Sequence, residues 1–434
     1  MLPPSEITMP RMPRLFGTSL VATSFAALLV IGASWAGSPA VATANANMVT
    51  QEVGVGGAVR LLRLGVPSDG RIGDLLRKNA KISAGFEVID RKAMGSLARA
   101  TEFNADQWSS LGADAVIMVS EVGPQIKLKL FELSKGDRPV LSKGYPSSDP
   151  LAAANKFMNE VMGYYTGEKG PFGSRIAFVR TRRNPTVSKN IQTVEMNGEA
   201  PASITSNRSL NILPSLNPGG GVLFTSYAKR NPDLWMSSGG APSRISQYPG
   251  LNLGGVMSPD GSTIALALSK DGNSEIYAIT RTGSVKAKLT SHGAIDGSPT
   301  WAPAGQIAFV SSRAGGPQVF RMSSGGGGAT RVSKSGTYNQ SPDWNQGKGH
   351  GQWITYSGRD DSNRYDVFKV DVKSGKVVRL TQSPGRNLDP SWSPDGRFVA
   401  YSRDGNIYVA TENGDNNVQI AKGASTPDWG PAAY

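Results

Sequence analysis

Nucleophilic, acid–base and metal chemistry need particular side chains, and this 434-residue chain is sparing with them. It has no cysteine, which removes thiolate nucleophiles, thiolate metal sites and disulfides. Its two histidines, His292 and His350, stand far apart, each read as lying in a loop between repeat units. Neither has a second histidine or an acidic cluster beside it in sequence, so the spacing makes no His-based metal site. A G-x-S-x-G nucleophile elbow is absent. Asp260 and Asp395 each occupy a Pro-Asp-Gly turn, where a carboxylate bonds its own neighbouring backbone. The glycine run from Gly325 to Gly328 falls between two strand-like segments with no helix to receive a phosphate. These residues read as no catalytic site, no metal site and no cofactor motif. Acids and bases contributed by distant units can still converge, so an enzyme stays open at this point.

The elements that would position any site come from a repeat. Its clearest copy is Pro390-Ser391-Trp392-Ser393-Pro394-Asp395-Gly396, followed by the apolar run from Phe398 to Tyr401. Proline presets φ for the second turn position, aspartate bonds the local backbone, and glycine accepts positive φ, so the stretch reads as strand, tight turn, strand. Copies stand at Pro299-Thr300-Trp301, Pro342-Asp343-Trp344, Val256-Met257-Ser258-Pro259-Asp260-Gly261, and more weakly at Pro214 to Gly219. The apolar strands that follow begin at residues 176, 222, 264, 307, 354 and 399, a spacing of 42 to 47 residues, which is the period of a propeller blade. A second and a third strand recur behind each. The last copy, Pro427-Asp428-Trp429, has no strand after it, and Ile176-Ala177-Phe178-Val179 has no Pro-x-Trp before it. The expected architecture is therefore a six-bladed β-propeller of four-stranded blades. The C-terminal strand completes the first blade, which closes the ring and removes exposed sheet edges.

Ahead of the propeller, Arg11 and Arg14 precede a largely apolar run from Leu15 to Ile31 and then small-x-small sites. This predicts a secretory signal peptide over residues 1–46, cut after Ala46, with Ala42 and Ala36 as alternatives, and a mature protein in the periplasm without a transmembrane segment. Residues 47–170 read as a small α/β domain with a mobile N-terminal segment. Its signals are a helical stripe at Ile72, Leu75 and Leu76, a strand from Phe86 to Ile89, and a short helix capped by Asn104 that carries Trp108 and Leu111. Strands follow from Ala115 to Val119 and at the alternating Ile126, Leu128 and Leu130. Asp149-Pro150 then opens the clearest helix, which ends before Gly167. The propeller is assigned residues 171–434. The net charge of +13 at pH 7 favours anionic neighbours. The scattered lysines and arginines show no recognition-helix pattern, so nucleic acid is not the expected partner.

Propellers bind ligands at the mouth of the central channel, and the innermost strands here start just before each Pro-x-Trp. Their first residues are small and polar: Asn252 to Gly254, Asp296 to Ser298, Asn339 to Ser341, Asn387 to Asp389, and Ser425 to Thr426. The expected docking set is Leu251, Asn252, Gly254, Asp296, Gly297, Ser298, Asn339, Gln340, Asn387, Asp389 and Thr426.

In several stretches the chain resembles the TolB family, the periplasmic component of the Tol-Pal envelope system. These are Trp108 to Ala115, Thr166 to Phe172 with Arg175 to Val179, Ala267 to Lys270, and Ala314 to Phe320. The resemblance runs from the signal region to the C-terminus. It implies a non-enzymatic scaffold that docks the lipoprotein Pal at the propeller mouth and TolA through the mature N-terminal segment. It also implies a role in outer-membrane integrity and in constriction during cell division. It places family mouth contacts around Leu251, Asn252, Gly254 and Gly297. Two departures stand there: Leu251 where a histidine is expected, and Gly255 in place of the repeat's proline. The alternatives are a secreted propeller enzyme, a polysaccharide lyase or hydrolase, and a cell-wall glycan-binding module.

Overall fold

The computed structural model describes residues 61–183, 186–360 and 362–430. The predicted signal peptide, its expected cleavage sites and the segment from 47 to 60 lie outside the described residues. The N-terminal part is a mixed sheet with helices on both faces. In chain order it runs β1 (Leu62–Gly65), α1 (Gly70–Ile82), β2 (Phe86–Val88), α2 (Ala105–Ser110), β3 (Ala115–Val122), β4 (Gln125–Glu132), β5 (Leu141–Pro146) and α3 (Pro150–Thr166). The sheet order is β2-β1-β3-β4-β5, with β1 parallel to both its neighbours and the remaining pairs antiparallel. Helix α3 starts where its sequence demands. The Asp149 carboxylate accepts from Ala152 N at 2.9 Å, Pro150 fills the first turn, and Gly167 takes φ +81° at the C-terminus. Asn104 caps α2 by accepting from Gln107 N at 3.1 Å. Strand β1 is a correction to the sequence reading, which left Asn47 to Val66 as a Gly-rich segment. Leu64 is fully buried there, and its strand lies between β2 and β3. Strand β5 also went unread.

Six four-stranded antiparallel sheets follow, each the expected blade. Blades two to six have inner strands Asn211–Leu216, Asn252–Met257, Asp296–Trp301, Tyr338–Trp344 and Asn387–Trp392. Blade one takes its inner strand from the far end of the chain: Ala424–Trp429 pairs antiparallel with Arg175–Arg182, Trp429 opposite Ile176. The ring closes by backbone hydrogen bonding, as the unmatched Pro-x-Trp at the C-terminus predicted.

The α/β part rests on blades one and six and shares a continuous hydrophobic core with them. Leu64, Leu75, Leu128, Phe157 and Val161 pack in one cluster with Phe178, Val194, Phe398, Val409 and Trp429. Polar contacts fix the orientation. Asn197 Nδ2 donates to Asn79 Oδ1 at 2.9 Å and Asn155 Oδ1 at 3.1 Å, and Asn79 Nδ2 donates to Asn155 Oδ1 at 2.9 Å. Asn416 donates to Lys81 O at 2.6 Å, and Arg397 donates to Lys169 O at 2.6 Å. Asn197, Arg397 and Asn416 all lie on turns at the end of the blades where the inner strands finish. The α/β layer therefore faces the opposite end of the channel from the start of those strands. No helix among the described residues is long and apolar enough to cross a membrane.

Candidate functional site

The six inner strands share one irregularity. One residue of each, Leu213, Gly254, Ser298, Asp389 or Thr426 in the third place or Ser341 in the fourth, adopts a left-handed backbone, with φ between +46° and +61°. In each strand the pairing register slips there, so two residues oppose one on the neighbouring strand. Proline occupies the second bulged position in five blades and Gly255 in blade three. A residue without an N–H suits a position where the ladder asks for none. The residues left opposite the bulges are Phe178, Phe224, Leu266, Phe309, Tyr356 and Tyr401, all fully buried. Left-handed geometry costs a non-glycine residue about 1 kcal/mol or more. Five such residues recurring at one level of the channel mark a designed collar, which sequence reading did not resolve.

The residues that open the inner strands, with Asn339 second in Tyr338–Trp344, turn inward. Asn252, Asp296, Asn339 and Asn387 are at most 1 % exposed. Their side chains clamp one blade to the next. Asn252 Oδ1 accepts from Ser246 Oγ at 2.6 Å and Tyr248 N at 3.0 Å. Asn339 Nδ2 donates to Gln318 Oε1 at 2.7 Å, and Asn387 Nδ2 donates to Asp366 Oδ1 at 2.8 Å. The Asp296 carboxylate accepts from Arg313 of its own blade at 2.7 Å, and across the junction Ser274 Oγ donates to the Asp296 carbonyl at 2.9 Å. A hydroxyl from the preceding blade completes the pattern: Ser333 donates to Gln318 Oε1 and Thr381 to Asp366 Oδ1, at 2.7 and 2.8 Å. At ring closure Ala424 takes this position and carries no clamp, since the closing strand supplies its own ladder.

The residues that face the channel at this end are Gly254, Ser298, Ser341, Asp389 and Thr426, half-buried, with Leu251 beside them and Gly297 buried behind. Ser341 Oγ donates to Asp389 Oδ1 at 2.8 Å. Gln340 is buried with neither end of its amide hydrogen-bonded, and Thr426 Oγ1 is likewise without a partner. Lys189, missed by the sequence reading, lies half-buried at the same end. Burial pulls its ammonium below the usual lysine range, and the Asp389 carboxylate opposes that shift.

At the other end the channel widens into a cavity of about 360 Å³, lined by Thr300, Asp343, Ser391 and Asp428 and by the four inner-strand tryptophans. Here side chains reach the backbone of the next blade. Asp428 Oδ2 accepts from Leu216 N at 2.6 Å, Asp343 Oδ2 from Trp392 N at 2.7 Å, and Ser391 Oγ from Trp429 N at 2.9 Å. Burial holds the Asp343 carboxyl up at about 6. It lifts Asp428 to about 8, with the Asp343 charge adding to the effect. The pair can hold a proton near neutrality, but each spends an oxygen on a neighbouring blade's N–H. The sequence showed both only as letters in Pro-Asp-Trp copies.

The remaining chemical candidates are structural. Asp260 accepts from Ser262 N at 3.1 Å and Asp395 from Arg397 Nε at 2.8 Å, each closing its own turn. His292 lies between blades three and four, whereas His350 sits inside blade five, in the turn between its first two strands, and not between repeats as read. Gly325 to Gly328 joins two strands of blade four.

A six-bladed propeller closed by its C-terminal strand, with an α/β layer over the far end of its channel, is the architecture of the TolB class. The family profile described as TolB beta propeller domain matches residues 163–433. A Tol-Pal system protein TolB from Anaeromyxobacter dehalogenans is 35 % identical over 383 residues, 83 % of this chain and 86 % of the relative. A TolB homologue from Chlorobium luteolum is 34 % identical over 236 residues, 52 % of each chain. The crystal structure of TolB from Acinetobacter baumannii superposes with a TM-score of 0.74 at 22 % identity, covering 86 % of this chain and 97 % of that one. The chain belongs to the TolB family of Tol-Pal system proteins.

Proposed function

We propose that this protein is a non-enzymatic periplasmic scaffold of the Tol-Pal system that docks Pal at the channel mouth. In this reading residues 1–46 are an export signal, and the segment opening the 47–170 part engages TolA. The propeller of 171–434 carries the Pal surface, and the pair of contacts supports outer-membrane integrity and constriction at division. Coupling between the two sites requires that each partner prefer one of two states of the protein.

The observation that carries the Pal assignment is the polar collar with an unspent hydrogen-bonding group. Thr426 Oγ1 is half-buried without a partner, and such a group costs about 1–3 kcal/mol unless something bonds it. Direct contact falls to Leu251, Gly254, Ser298, Asp389 and Thr426. The clamps Asn252, Asp296, Asn339 and Asn387 shape the collar from behind, with Gly297 and Gln340. Calorimetry with the Pal periplasmic domain of the same organism tests this. Asp389→Ala with Thr426→Arg should abolish binding while the thermal melt is retained. Binding unchanged in that variant moves Pal off the mouth, and no binding by the native protein removes Pal as the partner.

A further inference from the structure

The mouth carries its charge unevenly. From Arg175 to Pro232 the sequence has only two carboxylates, Glu195 and Glu199. Both sit toward the α/β layer, where Asn155 donates to Glu195 at 2.6 Å and Arg71 pairs with Glu199 at 2.6 Å. Apart from Arg175, which lies beside Glu195, five exposed cations of the same stretch gather at the other end. Arg182 ends the second strand of blade one with Arg183 just beyond it, Arg208 lies in the loop to blade two, and Lys229 ends the second strand of blade two with Arg230 in the turn after it. All five are exposed, and among the described residues none has a carboxylate partner. Blade five shows the contrast: its Arg364 and Arg379 are paired with Asp360 and Asp366. Within the basic arc lie two large apolar side chains, Val187 at 57 % and Leu210 at 38 % exposure. A backbone bridge pairs Leu210 with Lys189, two residues from Val187.

An unpaired basic arc around an apolar spot, at the lip of a channel, matches a ligand with the opposite charge and one apolar contact. A bilayer surface is flat and would reach the rim alone, whereas Lys189 sits inside the lip, opposite Asp389. An extended chain can reach both. We propose that blades one and two receive an extended acidic protein segment. Its carboxylates meet Arg208, Lys229 and Arg230, and an apolar residue of the segment rests on Val187 and Leu210. This rests on the reading of the mouth as a docking surface, and assigns the part of it that selects the partner's charge. Rim cations of this kind act chiefly on steering and on salt dependence.

The test uses the mature chain and a variant carrying R208E, K229E and R230E, whose wild-type side chains hold no ion pair, with thermal melts to show that both are folded. Each is titrated with the Pal periplasmic domain, with a short glutamate-rich peptide bearing one leucine, and with phosphatidylglycerol vesicles, at about 0.05 M and 0.3 M salt. Pal binding that weakens at least about tenfold in the variant, and weakens with salt in the native protein, supports the acidic segment. Pal binding indifferent to both changes keeps Pal at the mouth but overturns the acidic segment. Peptide binding lost in the variant, with no Pal binding, sustains the acidic segment and overturns Pal as the partner. Binding of vesicles alone, or of no probe, overturns it.

Discussion

Asp428 shows how burial sets chemistry at single residues. In the unfolded chain its carboxyl titrates near 3.8, and in the channel it stays protonated up to about 8. Between those values the fold holds a proton that the unfolded chain has released. Its contribution to stability is therefore complete below about 3.8 and is lost as pH rises through about 8. Asp343, held at about 6, acts in the same direction over a narrower window. Asp428→Asn keeps an acceptor for Leu216 N and removes the titration. The native melting temperature is expected to fall more steeply from pH 6 to pH 9 than the variant's, and parallel slopes would contradict the assignment. Gly255 explains its own departure from the repeat. A Cβ there would stand 2.7 Å from both methyls of Leu234. Gly255→Ala should cost about 1–3 kcal/mol in urea denaturation, since the packed Leu234 has little room to yield.

At the scale of elements, capping and closure decide the outcome. Helix α3 depends on the Asp149 carboxylate, and Asp149→Ala should remove about 1 kcal/mol and raise amide exchange at Ala152. An unchanged exchange rate at that amide would show that the cap is not holding the first turn. The inner strands combine three devices in a fixed order: a buried clamp near the start, a left-handed bulge two residues on, and a tryptophan or its substitute three residues beyond the bulge. The bulge re-aims the strand so that its first half faces the mouth and its second half lines the lower cavity. Blade one alone lacks the clamp at Ala424. The backbone ladder from Ala424 to Trp429, with the Trp429 indole donating to Ser174 at 2.8 Å, takes over that function.

The whole molecule is tied together across the layer boundary. The core cluster runs without a break from α1 and α3 into blades one and six, and the Asn79, Asn155 and Asn197 amides lock its edge. Unfolding should accordingly be a single transition by far- and near-ultraviolet circular dichroism. Asn197→Ala withdraws the donor from two buried carbonyl oxygens and should cost about 1–3 kcal/mol. Two separated transitions in the native protein would show instead that the layer and the ring unfold independently. Any signal passed from the mouth to the α/β layer has to cross this boundary, since the two lie at opposite ends of the channel.

The propeller was legible because its signal is local and repeated. Proline, aspartate and glycine at fixed offsets make the same turn wherever they occur, and unmatched copies at the two ends of the repeat can only pair with each other. The helices of the α/β part were legible from Asp149-Pro150, Asn104 and the stripe around Leu75 for the same reason. Strand β1 was not, because four residues with a single leucine alternation carry too little period to stand out from a Gly-rich neighbourhood. The inner strands do begin just ahead of each Pro-x-Trp copy, as the repeat implied. The division of labour within them was not visible: that Asn252, Asn339 and Asn387 turn inward to clamp the blades depends on partners some 6 to 21 residues away, across a junction, and Asp296 is held by Arg313 of its own blade. The carboxyl pair Asp343 and Asp428 and the basic arc from Arg182 to Arg230 likewise exist only once the ring has closed. Local backbone chemistry is written in neighbouring residues, whereas burial, charge pairing and proton affinity are set by whatever the fold brings alongside.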